Sequence, residues 1–356
     1  MHNLPPLARF GGLLATDLRD VTSDPSALDS RGFWAVVADF EGRTVCARFG
    51  DVRSAPVPAP VPGAWRGPEP GDWTSSLDRA GYTAGVRRIR RRIAAGDVYQ
   101  VNLCRVLSAP LPDPGSADVD ALTAQLALGN PAPYAGTVRL PAHGVEVATA
   151  SPELFLRRTG RTVESGPIKG TGRSPADLLE KDHAENVMIV DLVRNDLGRV
   201  CDTGSVTVPA LCAIEPHPGL VHLVSTVRGE LAAGVGWPEL LAAAFPPGSV
   251  TGAPKSSALR AIERLETAPR GPYCGAVGWV DADRGAGELA VGIRTFWIDR
   301  TPPGPAGGGA VLRFGTGAGI TWGSDPEDEW EETELKAARL LAVASDVQQP
   351  TGRATR

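Results

Sequence analysis

Gly166-Pro167-Ile168-Lys169-Gly170-Thr171, then Ser174-Pro175-Ala176-Asp177, then Glu185-Asn186-Val187-Met188-Ile189-Val190-Asp191-Leu192, is the stretch that decides how this chain folds. It passes from a short apolar, glycine-rich segment to a helix start and then into a helix. Ser174 is a capping residue, Pro175 suits the first helical position, and Asp177 favours the positive helix end. Residues 187–193 are apolar on nearly every side, which predicts a buried helix. The same helix carries Asp182, His183 and Glu185, an unusual load for a purely structural core helix.

Strand and helix signals continue outward from this point. Towards the N-terminus, Leu154–Arg158, Val145–Ala150 and Val98–Leu107 read as strands. Before them, Tyr82, Val86, Ile89 and Ile93 recur at helical steps until Gly96 stops the helix. Residues 1–54 hold short apolar runs such as Phe33-Trp34-Ala35-Val36-Val37-Ala38. A Pro-rich stretch from Ala55 to Gly71 reads as an extended linker or surface loop. Towards the C-terminus the pattern predicts a helix over 238–245, a Gly-rich loop over 246–254, a helix ending near Leu265, and strands over 274–280 and 289–298. A Gly/Pro insert (301–309), a strand (311–314) and a last helix opening at Ser324-Asp325-Pro326 follow. Strands and helices mixed without a strict βαβ rhythm predict an α+β fold. The expected organisation is an N-terminal strand-rich part with its linker (1–71), a main body (72–346) and a disordered tail (347–356).

Composition narrows the function. The chain has 356 residues, of which 42% are apolar, enough for a sizeable core. A net charge of −5 offers no basic field for nucleic acid or a membrane surface. The run Arg87-Arg88-Ile89-Arg90-Arg91-Arg92 reads as the solvated face of a helix. Cys46, Cys104, Cys201, Cys212 and Cys274 form no CxxC pair and no regular spacing, which fits a reducing cytoplasm. No signal-peptide pattern or membrane-spanning apolar run is visible.

Several groups are chemically suggestive, each with a plainer reading beside it. Glu329, Glu332 and Lys336 share a face of the last helix. They are either an acidic helix N-terminus complementing the dipole or, with Glu185, a carboxylate site for a hard divalent cation such as Mg²⁺. The run Gly315-Thr316-Gly317-Ala318-Gly319 lacks the helix of a dinucleotide motif and reads as a backbone loop approaching an anion, or as an ordinary turn. Gly248-Ser249-Val250-Thr251-Gly252-Ala253-Pro254-Lys255 is not a phosphate loop, although its N–H groups suit a carboxylate. Arg199, Arg294 and Lys336 are candidate carboxylate clamps or surface cations. His222 is a core histidine or a catalytic one. Lys169 is a desolvated nucleophile or a lysine snorkelling out of a turn. No Cys-His-Glu grouping of glutaminase type is present, so any ammonia must come from another subunit or from free ammonium.

Taken together, these segments resemble the chorismate-utilising enzymes related to anthranilate synthase component I, and most of all the aminodeoxychorismate synthase component I branch. The resemblance covers roughly residues 72–343. It rests on an ordered series of motifs: Gly96-Asp97-Val98-Tyr99-Gln100-Val101-Asn102-Leu103, Ser151-Pro152-Glu153, Pro167-Ile168-Lys169-Gly170-Thr171, Glu185 to Leu192, Arg194-Asn195-Asp196-Leu197-Gly198-Arg199, His222-Leu223-Val224-Ser225, Thr251-Gly252-Ala253-Pro254-Lys255, Ile293-Arg294-Thr295 and the run Gly317 to Lys336.

The resemblance implies two β-sheets packed around a core with helices outside, and a soluble cytoplasmic enzyme. It implies chorismate as substrate, with Mg²⁺ held by Glu185 and Glu332 and with Glu329 and Asp182 near. Substrate carboxylates would meet Arg294, Tyr273, Lys336 and the backbone of Gly317, Ala318 and Gly319, with Arg199 a further contact. The ring would lie near Gly170, Thr171, Ser249 and His222. The Ala of anthranilate synthases is Lys169 here, which the resemblance makes the nucleophile at C2, with Glu153 as general acid/base and His222 as a further catalytic group. Gln100 replaces the water-activating lysine of isochorismate and salicylate synthases, which favours ammonia. A glutamine amidotransferase subunit is the implied ammonia source, and p-aminobenzoate and folate formation the implied destination. Residues 1–54 are shorter than the corresponding region of many relatives, and no tryptophan pocket is assigned there.

Overall fold

Two periodicities build the molecule: two-residue alternation in the strands and three-to-four-residue spacing in the helices. The computed structural model of the chain describes residues 4–172, 174–217, 220–300 and 309–345, without the side chains of Thr171, His217 and Leu220. Among the described residues stand six α-helices: α1 (Arg79–Ala94), α2 (Val119–Gly129), α3 (Glu180–Gly198), α4 (Trp237–Ala244), α5 (Lys255–Leu265) and α6 (Pro326–Ala344).

Eighteen strands of the described residues join into one antiparallel hydrogen-bonded network. One half runs from Gln100–Pro110 through Ala310–Ile320, Thr295–Arg300 and Val145–Ser151 to Tyr134–Leu140. The hairpin of Leu7–Phe10 and Leu13–Thr22, closed by Gly11 and Gly12 at positive φ, then carries the network across. The other half passes through Thr44–Ser54, Phe33–Ala38, Ala276–Asp281, Ala286–Val291 and Leu154–Thr159. It ends at Thr162–Gly166, Leu220–Glu230 and Thr207–His217. The expected two sheets are thus two halves of one ladder. They share a core, to which one half gives Trp34, Val36 and Val277 and the other Val106, Val138 and Val147. Helices lie outside. α2 and α6 cover Phe296, Leu312 and Phe314, α1 and α5 cover Leu103 and Ile320, and α3 and α4 pack Ile189, Val190 and Leu240 onto the shared core.

The structure departs from the sequence reading in several places. α3 begins at Glu180 rather than near Pro175, because Pro175–Asp177 closes into a single tight turn with Ser174 N donating to Asp177 Oδ2 at 2.8 Å. The chain then extends, and Asp182 accepts from Leu179 N at 2.8 Å to start the true helix. α3 is not buried all round: Ile189 is fully buried, but Val187 is 48% exposed. The strand expected over 289–298 is two strands, Ala286–Val291 and Thr295–Arg300, parted where Arg294 takes φ 51°. The Gly315–Gly319 run is no loop. It extends the strand to Ile320, because glycine permits the close approach: a Cβ at Gly317 would lie 2.6 Å from Cys104 Sγ. The Pro-rich stretch is anchored by buried Trp65, whose Nε1 donates to Ala344 O at 2.7 Å. The arginine run lies on α1 as expected, with Ile89 buried and Arg87, Arg88 and Arg91 exposed. Most of the Gly/Pro insert (301–308) and the tail lie outside the described residues.

Candidate active site

Lys169 sits on the strand Ile168–Gly172. It is half-buried, and its Nζ donates to the carbonyl of Ser249 at 3.0 Å. That carbonyl also accepts from Asn102 Nδ2 at 3.2 Å, so both its lone pairs are used and the lysine is held rather than snorkelling into solvent. Ser249 belongs to the buried turn Gly248–Val250. Lys255 ties this region together: its Nζ reaches Asp196 Oδ2 at 2.6 Å and Ala244 O at 2.9 Å, joining α5 to α3 and α4.

Glu153 lies beside Lys169. It is 4% exposed. Burial pushes its carboxyl up to about 7, although the Ser249 hydroxyl, the Lys169 charge and the Ile168 backbone pull the other way. A carboxyl poised there is suited to proton donation near neutral pH.

The acidic residues gather on the facing helices. Burial raises Glu185 on α3, the neighbouring Asp182 and Glu332 charges add to this, and Lys169 and Lys181 oppose it. Burial also raises Glu329, which is 9% exposed and hydrogen-bonded by Ser324. Burial works against ionised Glu332 too, but Lys336, Lys181 and Lys169 hold it below the ordinary value. Glu332 Oε1 meets Lys336 Nζ at 2.5 Å. Among the described residues no three acidic, His or Cys side chains stand close enough to cage a metal by themselves. The donor chemistry nevertheless suits Mg²⁺, which takes a few carboxylates and fills its octahedron with water and substrate oxygens. The charge on Glu332 raises both Glu185 and Glu329, and a divalent cation would relieve that repulsion.

The remaining candidates divide. Arg294 is half-buried beside the Ser151–Glu153 corner, its carbonyl accepting from Ala150 N at 3.0 Å. Its guanidinium has no hydrogen bond or ion pair among the described residues, and burial lowers its pKa, so it is a cation suited to an anionic ligand. Lys336 Nζ donates to Gly317 O at 3.1 Å, which brings the helix cation to the glycine strand. Beyond Phe314 the other edge of that strand is unpaired among the described residues; Cys104 N and Asn102 N turn away from it to Glu266 and Thr251, so Gly317 and Gly319 keep N–H groups on the open edge while Ala318 pairs with Leu103 in the ladder. Gly170, at φ 77°, lies against Asp182, and Thr171 pairs with buried His222. The Thr171 side chain lies outside the described residues. Tyr273 is buried behind the glycine strand, its hydroxyl 3.9 Å from Cys104 Sγ. Arg199 does not join the group. It is exposed at the C-terminal end of α3, about 20 Å along the helix from Glu185.

Sequence reading passed over Asn102, Lys181 and the Lys255–Asp196 pair. Asn102 and Lys255 lay within motifs already quoted, but their roles depend on partners 147 and 59 residues away.

Residues 27–342 match the family of chorismate binding enzymes. The chain is 45% identical over 277 residues to an aminodeoxychorismate synthase of Streptomyces pristinaespiralis, covering 74% of this chain and 36% of that protein. It is 40% identical over 307 residues to anthranilate synthase component 1 of Streptomyces coelicolor, covering 80% of this chain and 57% of that protein. The chain therefore spans well under two thirds of the length of these relatives. Its fold is that of anthranilate synthase component I from Streptococcus pneumoniae, with TM-score 0.76, 22% identity, and 96% of this chain and 93% of that one covered. No helix among the described residues is long and apolar enough to cross a membrane.

Proposed function

Because the chain belongs to the family of chorismate binding enzymes, we propose that it aminates chorismate at C4 to give 4-amino-4-deoxychorismate, with Lys169 as covalent nucleophile at C2. The observation that carries this reading is the amine of Lys169, held at the Ser249 carbonyl beside a Glu153 carboxyl raised to about 7. The amine attacks C2 while the ring double bonds shift and the C4 hydroxyl leaves as water, protonated by Glu153. Ammonia then attacks C4, the double bonds shift back, and the lysine amine is expelled from C2. Arg294 and Lys336 bind the substrate carboxylates and hold the ring over Lys169. Glu185 and Glu332, with Glu329 behind them, would hold Mg²⁺. When bound, that ion offsets substrate charge and aligns the ring. Ammonia comes from free ammonium or from a glutaminase partner, and the name component 1 carried by the Streptomyces coelicolor relative supports a second component. A separate lyase would convert the product to p-aminobenzoate.

A second reading, amination at C2 to anthranilate, draws on the 40% identity to an anthranilate synthase component 1. Chromatography of the products from chorismate, Mg²⁺ and ammonium separates the two. The Lys169→Ala variant is expected to lose aminodeoxychorismate formation by at least about 100-fold. Near-normal turnover of that variant would remove Lys169 as nucleophile, and anthranilate from the wild type would overturn amination at C4.

A further inference from the structure

The arginine run of α1 divides by partner. Arg87 pairs with Glu327 at 3.5 Å, and Arg90 lies over the ring of Trp322 at 5.7 Å. Arg88, Arg91 and Arg92 stand three and four residues apart, so they share another face of the helix. That face borders α5, where Arg264 lies in the last turn. The four arginines line a cavity of about 400 Å³ between the C-terminal ends of the two helices. Small side chains make the room: Ala95 from the end of α1 and Ala261 from α5 stand in its lining. Both helices are fixed beneath it in one apolar cluster with Leu103, to which α1 gives Ile89 and α5 gives Ala258 and Ile262.

The four guanidinium groups have no hydrogen bond or ion pair among the described residues. They are not needed to finish the helices either. Arg91 O accepts from Ala95 N and Arg92 O from Asp97 N, both at 3.0 Å, and Ile262 O accepts from Glu266 N at 2.9 Å. The backbone thus already serves these helix-end carbonyls. Asp97 is the single carboxylate in the lining, which leaves the cavity about +3 on a chain of net charge −5. Like charges gathered in a concave site repel one another, and a bound anion removes that cost.

We propose that this cavity binds a small polyanion, whose phosphate or carboxylate oxygens take the guanidinium forks. Each fork can donate two parallel N–H bonds to either group. The volume is that of a small-molecule site, and cations converging from two helices suit a compact ligand with several negative charges. The cavity shares no lining residue with the candidate active site, yet both of its walls lead there. α1 passes through Gly96 into the strand Gln100–Pro110, and α5 opens at Lys255, which bridges to Asp196. A ligand here would tie α1 to α5 from outside.

The test is isothermal titration calorimetry of the full chain without Mg²⁺, at low and fixed ionic strength. Sodium pyrophosphate and sodium citrate are titrated separately as probes. The wild type is expected to bind at least one of them saturably at a single site. Arg92→Ala and Arg264→Ala are each expected to weaken that binding about tenfold, and Arg294→Ala, in the candidate active site, to leave it unchanged. Arg88→Gln replaces either of the first two variants if it does not fold. Tighter pyrophosphate binding assigns the site to phosphates and tighter citrate binding to carboxylates, and either supports it. Absence of saturable binding by both probes overturns the proposal. So does binding that Arg92→Ala and Arg264→Ala leave intact, or that Arg294→Ala abolishes.

Discussion

At the scale of single residues, Glu153 is where burial most directly becomes chemistry. Its carboxyl is raised from an ordinary 4.5 to about 7 by burial. The ionised form is therefore the one the fold disfavours. The associated stability is fully present below about pH 4.5 and is lost as pH rises through about 7. Above that range the penalty is roughly 3 kcal/mol. Glu153→Gln removes the titration, so the variant is expected to unfold at higher urea than the wild type at about pH 8, with the advantage fading towards about pH 5. Urea melts at the two pH values check this, and an advantage independent of pH would show that burial does not set the carboxyl. Lys169 teaches a related lesson. Its apolar neighbours in sequence left a snorkelling lysine open, and only Ser249, 80 residues on, shows where the amine goes.

At the scale of elements, the site is held by ties between helices that the periodic pattern does not reveal. The Lys255–Asp196 bridge has side chains 17% and 7% exposed and clamps α5 to α3. Removing one partner leaves a buried charge unpaired. Lys255→Met is expected to cost about 3–5 kcal/mol in urea unfolding, and adding Asp196→Leu to recover most of it. Equal instability of single and double variants would mean that packing, not charge, makes the tie. Helices were legible where apolar residues recur on one face, as in α1 and α6. The break at Arg294 was not, because a positive φ in a non-glycine residue is imposed by its surroundings.

At the scale of the whole molecule, residues before the Pro-rich stretch are built into the same network as the site. Phe33–Ala38 pairs along its full length with Ala276–Asp281, and Leu7–Phe10 with Tyr134–Leu140. Arg270 N and Gly271 N donate to Glu41 at 2.7 and 3.1 Å, fixing the segment that leads to Tyr273. Deleting residues 1–54 would bare two strand edges and open the shared core. The truncated chain is expected to lack a cooperative thermal transition in circular dichroism, and a sharp transition would show that the rest folds alone. The sequence by itself determined the α+β class, the chemical family, and which residue types bear charge near Lys169, because periodicity and long ordered motifs are local properties of the chain. Only the tertiary structure decided that Lys169 and Asn102 share one carbonyl, and that Arg294 stands unpaired among the described residues while Arg199 lies about 20 Å along α3 from Glu185. Those facts depend on burial and on distances between residues far apart in the chain, and no local pattern encodes either.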